Sequence, residues 1–198
     1  MPILSAETSQ ARTDHAPLSD AVLVKECLAG SDRAWVALID KYKNLIFSIP
    51  IKCGFPREEA DDIFQTVCLE LLSELSNLRN PEALPKWIMQ VTSHKCFHRR
   101  REQRWMVFDS ESERAEPVAP ACSERILSEA EEEQKLRQAV LELPPRDQQL
   151  IHMLFFEEPL HPYLEVAAAL GIATGSIGMI RQRCLERLRK RLLELGLS

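Results

Sequence analysis

The 198-residue chain carries 45% apolar and 6% aromatic residues and a net charge of −5. That length suits one domain or two small ones with a modest core, and six glycines in a leucine-, alanine- and glutamate-rich composition favour helices over strands. The absence of any 18-residue apolar run excludes membrane insertion by a single span, and "MPILSAETSQARTDHAPLS" lacks the order of a signal peptide, so the expected location is cytoplasmic.

Residues 1–18 read as a disordered arm. Ser19 caps a short helix to about Leu28, closed by Gly30. Asp32 caps the next, where Trp35, Leu38, Ile39, Tyr42, Leu45 and Ile46 recur at helical spacing until Pro50 stops it. Pro56 precedes a third helix whose acidic first turn suits the positive end of the helix dipole, with Ile63, Val67, Leu71 and Leu75 as its apolar stripe. Pro81 opens a fourth through "EALPKWIMQVTSHKCFHRRRE", which completes a unit over residues 19–105. Residues 106–127, with two prolines, many charges and no sustained period, read as a linker. A second unit, residues 128–198, starts with a helix capped by Ser128, breaks at Pro144-Pro145, resumes from Asp147 to Phe156 and closes with "PYLEVAAALGIATGSIGMIRQRCLERLRKRLLEL". The fold class expected is all-α: two small helical domains joined by a flexible acidic linker, the second ending in a helix-turn-helix.

The charge is distributed unevenly. His94 to Arg104 holds five Lys/Arg against one Glu, and Arg181 to Arg191 holds six against one. Between them, Asp109 to Glu133 holds nine acidic residues and two arginines. Such basic patches suit an anionic partner despite the negative total, although any single run is equally well a solvated helix face. The six cysteines form no CxxC pair and fall mostly in apolar patterns, which suits reduced, buried thiols. His94, Cys96 and His98 are close in sequence, but only the two histidines share a helix face, so no metal site and no cofactor is expected.

"GIATGSIGM", Gly171 to Met179, is either a phosphate loop or a turn between helices. A phosphate loop needs a preceding strand and a Gly-Lys-Ser/Thr, and neither is present. A helix-turn-helix fits: Ala167 is small at the crossing, Gly171 takes the left-handed turn, and Ile177 plugs the space with Val166, Leu170, Ile172 and Ile180. Thr174 or Ser176 caps the second helix. Entered into a major groove by its N-terminal end, that helix would present Thr174, Gly175, Ser176, Met179 and Gln182 to base edges. Arg181, Arg183, Arg187 and Lys190 would meet phosphates.

The two units together, over roughly residues 20–195, resemble bacterial RNA polymerase sigma factors of the extracytoplasmic-function group. "EEADDIFQTVCLELL" is similar to the family helix that docks on the polymerase clamp, and "WIMQVTSHKCFHRRR" to the helix that reads and melts the upstream side of the bubble. "LRQAVLELPPRDQQLIHMLFFEE" and the segment from Pro162 resemble the terminal promoter-reading region. The resemblance implies core RNA polymerase and promoter DNA as partners, with an anti-sigma factor, and a transcription initiation factor that is not an enzyme. It places polymerase binding on Asp61, Asp62, Ile63, Gln65, Thr66 and Leu69. Minus-ten DNA falls to Asn77, Arg79, Asn80, His94, Lys95, His98, Arg99, Arg100 and Arg101, and minus-thirty-five DNA to Thr174, Gly175, Ser176, Met179, Arg181, Gln182, Arg183 and Arg187. Trp87 could stack on a base, but its spacing with Ile88 and Val91 favours the core. The family often has Asn and Asp where His94 and His98 stand, and "SIGMIRQR" lacks the usual lysine of the recognition helix. The alternative reading is a helix-turn-helix regulator that never replaces the sigma subunit. An enzyme is disfavoured because no catalytic constellation is placed by the sequence.

Overall fold

The computed structural model describes residues 18–107, 122–159 and 161–197, and among these every regular element is helical. The arm expected over 1–18, apart from Leu18, and the middle of the linker, 108–121, lie outside the described residues.

The first unit comprises α1 (Asp20–Leu28), α2 (Asp32–Lys52), α3 (Arg57–Glu74) and α4 (Leu84–Val107). Ser19 accepts a hydrogen bond from Val22 N at 3.4 Å, as its position predicts. At α2 the cap is Ser31, one residue before the expected Asp32, accepting from Ala34 N at 3.2 Å. Asp32 instead lies in the first turn, where its charge favours the helix dipole. Pro50 does not stop α2, which runs on to Lys52. A proline so close to the end removes one ladder hydrogen bond, and burial of Ile49 and Pro50 in the core offsets that loss. Before α4, Pro81–Ala83 forms a single 3-10 turn in which Asn80 accepts from Glu82 N at 3.0 Å.

The core of this unit is built on α2. Leu38, Leu45, Ile46 and Ile49 are fully buried at helical spacing and meet Ile63, Val67 and Leu71 of α3 and Leu84 and Ile88 of α4. Trp87 packs against the same cluster, half-buried, as the core reading expects. Tyr42 is buried with its hydroxyl 2.8 Å from both carboxylate oxygens of Asp20, and Lys41 holds the same carboxylate at 2.8 Å. Burial, then the charge of Asp20 and its hydrogen bond, pushes the Tyr42 phenol far above its ordinary value, so it stays a neutral donor.

The second unit comprises α5 (Glu124–Leu141), α6 (Pro145–Ile151), α7 (Tyr163–Leu170) and α8 (Ile177–Glu194). The cap of α5 lies five residues before the expected Ser128, because Ser123 accepts from Ile126 N at 3.4 Å and Ile126 and Leu127 pack on the first core. α5 therefore serves both units: Ala130 is buried in the first cluster and Ala139 in the second. Lys52 pairs with Glu133 at 2.7 Å and Glu129 at 3.6 Å across the α2–α5 contact. The helix expected from Asp147 to Phe156 divides into α6 and a five-residue π-turn, His152–Phe156. One expectation about thiols is corrected. The start of α5 brings Cys122 to a Cα–Cα distance of 5.3 Å from Cys53, and the two are disulfide-bonded. At a sequence separation of 69, no local spacing signalled the pair.

The α7–α8 turn follows its sequence reading. Gly171 adopts φ +63° and ψ +38°, Val166 and Ala167 are buried, and Ile177 is fully enclosed between the two helices. Leu170, Ile172 and Ile180 pack around it. Thr174–Ser176 is a short 3-10 turn, and neither Thr174 nor Ser176 makes a side-chain cap to α8.

Two outcomes test these contacts. Tyr42→Phe removes a buried hydrogen bond to a carboxylate and should lower stability by about 1.5–3 kcal/mol in denaturant unfolding. A change within error would show that Lys41 alone suffices for Asp20. A Cβ at Gly171 meets nothing within 4 Å, so Gly171→Ala should cost only the backbone term, about 1–2 kcal/mol, and Gly171→Asn clearly less. Equal losses for the two variants would refute the left-handed turn as the cause.

Candidate functional site

α3 presents two stripes with different fates. Glu59, Asp62, Thr66 and Glu70 face α4, while Asp61, Gln65 and Leu69 lie on the exposed side. Arg99 of α4 contacts Glu59 at 3.2 Å and Asp62 at 3.4 Å, and Lys95 pairs with Glu70. A cleft of about 420 Å³ runs between the helices, lined by Asp62, Ile63, Thr66, His94, Lys95, His98, Arg99 and Glu102. The structure thus joins residues that the resemblance assigns to two different partners.

Ile63 is the exception within the docking set. Only 4% exposed, it belongs to the core beneath the cleft. The apolar part of the outer stripe is instead Leu69, 68% exposed, with Leu72 one turn along. Leu72 was missed in the sequence, where it reads as one more member of a leucine-rich helix. Its signal is the spacing Asp61, Gln65, Leu69, Leu72, which is that of a single exposed face.

On α4 the basic run divides by direction. Arg101 is exposed with no ion pair among the described residues. Arg100 turns inward, donates to the Cys53 carbonyl at 2.6 Å and lies 4.6 Å from the Phe55 ring centroid, so it closes the end of α2. His94 and His98 are exposed with ring nitrogens 3.1 Å apart. Cys96 points away from them into the core and is fully buried. The loop before α4 exposes Asn77, Arg79 and Asn80; Asn77 donates to Glu74 at 2.9 Å and Asn80 is engaged as the turn cap described above.

In the second unit, Ile177, Cys184 and Leu188 form the buried stripe of α8. Thr174, Gly175, Ser176, Met179, Gln182 and Arg183 are exposed on the other side, with Met179 60% exposed. Exposed methionine at a helix start is a sign of a contact surface, because its flexible thioether adapts to a partner. Arg181 donates to the Tyr163 hydroxyl at 2.7 Å, and Gln182 to Glu186 at 3.2 Å. Arg187 is bound to Asp147, a carboxylate only 5% exposed, and Arg191 to Glu142. Burial of Glu142 raises its pKa, but the hydrogen bonds from Arg191 and Gln138 outweigh that and hold the carboxyl below its usual range. Arg187 therefore has a structural duty the sequence did not reveal, whereas Arg183, Arg189 and Lys190 make no ion pair among the described residues.

Among the described residues no single helix is long and apolar enough to cross a membrane. Known families match both units. Residues 38–106 match the family described as Sigma-70 region 2, and residues 139–190 match Sigma-70, region 4. The chain is 24% identical over 188 residues to the probable RNA polymerase sigma factor RfaY of Xanthomonas campestris pv. campestris, an alignment that takes in 91% of this chain and 46% of that protein. The chain thus spans about half the length of that curated relative. Among solved structures, the complex of CnrH with the cytosolic domain of CnrY is similar at 17% identity, covering 89% of this chain and 96% of that one at a TM-score of 0.37. The two region matches occur in order, one in each helical unit, and together cover more than half of the sequence: the chain belongs to the sigma-70 family of RNA polymerase sigma factors.

Proposed function

We propose that the chain is a transcription initiation factor of the extracytoplasmic-function group, which binds core RNA polymerase, directs it to specific promoters and helps to melt them. The observation that carries this reading is the division of labour on α3 and α4. The outer stripe Asp61, Gln65, Leu69 offers acidic, hydrogen-bonding and apolar groups free of α4, a suitable face for a basic, partly apolar polymerase surface. Asp62 and Thr66 border it at the cleft.

Minus-ten DNA is assigned to the neighbouring surface of His94, His98 and Arg101 with the loop residues Asn77, Arg79 and Asn80. Lys95 and Arg99 join only by exchanging Glu70, Glu59 and Asp62 for phosphates. Partly exposed ion pairs contribute about 0–1 kcal/mol, so a strand lying in the cleft readily displaces them. In the second unit Thr174, Gly175, Ser176, Met179 and Gln182 meet base edges of the minus-thirty-five element. Arg181 and Arg183 lie nearer phosphates, and Arg187 serves the fold first. The functional divisions are 19–105 for region 2, 106–127 for the linker and 128–198 for region 4. The reading includes no catalysis and no cofactor, a cytoplasmic location, and an anti-sigma factor covering the polymerase and DNA faces.

Run-off transcription on fragmented genomic DNA of the source organism, with core RNA polymerase and the full chain, tests the whole reading. Discrete new start sites sharing an upstream motif are expected. No new starts, combined with tight binding of the chain alone to duplex promoter DNA, would favour a regulator that does not replace the sigma subunit.

Two sets of variants test the surfaces. Asp61→Lys with Leu69→Asp should weaken binding to core polymerase at least ten-fold, about 1.4 kcal/mol, with the thermal midpoint of the free chain little changed. Unchanged binding in a pull-down titration would remove the outer stripe from the interface. Met179→Ala in the holoenzyme should alter base preference at one minus-thirty-five position by about 1–3 kcal/mol. Arg183→Ala should weaken all promoters alike and reduce the salt dependence by about one charge. The reverse pattern would exchange the two roles.

A further inference from the structure

The disulfide between Cys53 and Cys122 has a neighbour that the functional reading leaves unused. The sulfur of Cys96 lies with theirs so that all three are within 4.8 Å of one another, and all three residues are buried. They come from three elements: Cys53 caps α2, Cys96 is midway along α4, and Cys122 immediately precedes the Ser123 cap of α5.

We propose that Cys53, Cys96 and Cys122, in their reduced form, make a three-thiolate site for a divalent thiophilic cation such as Zn²⁺, stapling the start of α5 to the first helical unit. Sulfur ligands about 2.3 Å from one tetrahedral ion stand roughly 3.8 Å apart, compatible with the observed cluster once the Cys53–Cys122 bond is opened, and the fourth position falls to a ligand from solution such as water. Opening it takes two electrons and two protons, supplied by a low-molecular-weight dithiol. Binding then converts three thiols and M²⁺ into a tris-thiolate complex of charge −1 and releases three protons, with no further change of oxidation state. The charge has a partner in place. Arg100 is anchored on the Cys53 carbonyl and the Phe55 ring and acts on Cys96 in the direction that favours its thiolate.

Burial pushes the Cys96 thiol up to about 12, the neighbouring Arg100 only partly opposing it. A cation at the centre supplies the charge that makes three buried thiolates tenable. Cys27 and Cys184 are also buried, and Cys68 is half-buried, but none of them belongs to the cluster.

The test is a titration of the full chain with Cd²⁺, the spectroscopic stand-in for Zn²⁺, after reduction by a phosphine and in the absence of oxygen. One equivalent is expected to bind with sulfur-to-cadmium charge-transfer absorption in the near ultraviolet, and Zn²⁺ should displace it. Cys96→Ser should abolish that absorption, with helical circular dichroism kept as a check of folding. Cys68→Ser, outside the trio, should leave it intact. The thermal midpoint of the reduced wild type should rise on adding Zn²⁺, and that of Cys96→Ser should not. If the reduced wild type develops no charge-transfer band, or the band survives Cys96→Ser, the site is refuted and the cluster is a disulfide with an adjacent packed thiol. Should Cys96→Ser fail to fold, Cys122→Ser carries the same expectation.

Discussion

α2 is the post on which the protein is assembled. Its buried stripe takes α1, α3 and α4 on its sides, and α5 lies against it from the far end of the linker. A helix that must satisfy four neighbours has little tolerance for polar substitution around its circumference, and only the surface left between those neighbours is available for charge. That constraint explains why a proline is accommodated in its last turn. The end of α2 is held by packing from several directions, and one missing backbone hydrogen bond does not release it. It also makes α5 a shared element, so the boundary between the units is a helix with a face in each core.

Much of the basic charge is internally satisfied. Lys95 and Arg99 lie against carboxylates of α3, Arg100 against a backbone carbonyl, and Arg187 and Arg191 against acids at the edges of α6 and α5. Among the described residues of the two runs, the cations without an ion pair, Arg101 on α4 and Arg181, Arg183, Arg189 and Lys190 on α8, are fewer than the runs imply. A count of Lys and Arg along the chain therefore overstates the electrostatic footprint. The two dense clusters do, however, fall on the helices proposed to meet DNA.

The helices and their order were legible because apolar spacing, serine caps and prolines agree with one another along most of the chain. The α7–α8 turn was legible residue by residue, since Ala167, Gly171 and Ile177 each answer a separate steric demand. Errors arose where long-range contact decides. Ser123 rather than Ser128 starts α5 because Ile126 and Leu127 have a first-unit core to pack on, which no local pattern announces. Ile63 satisfies both a core periodicity and a docking motif, and the packing of α3 chooses the core. Arg100 and Arg187 look like their basic neighbours in sequence, and only the position of Phe55 or Asp147 in space separates them. The convergence of Cys53, Cys96 and Cys122 was invisible for the same reason.

On the proposed assignment of Lys95 and Arg99 to DNA, the carboxylates of Glu59, Asp62 and Glu70 stand where phosphates would, and α3 would act as a tethered decoy for α4. A tethered decoy is always present at high local concentration, and it removes most of the gain from any single stray phosphate. Only a ligand that engages several positions at once outcompetes it. On that assignment the same ion pairs that look like routine helix cement would set a threshold, suppressing idle contacts with bulk nucleic acid while leaving a fully positioned strand able to bind.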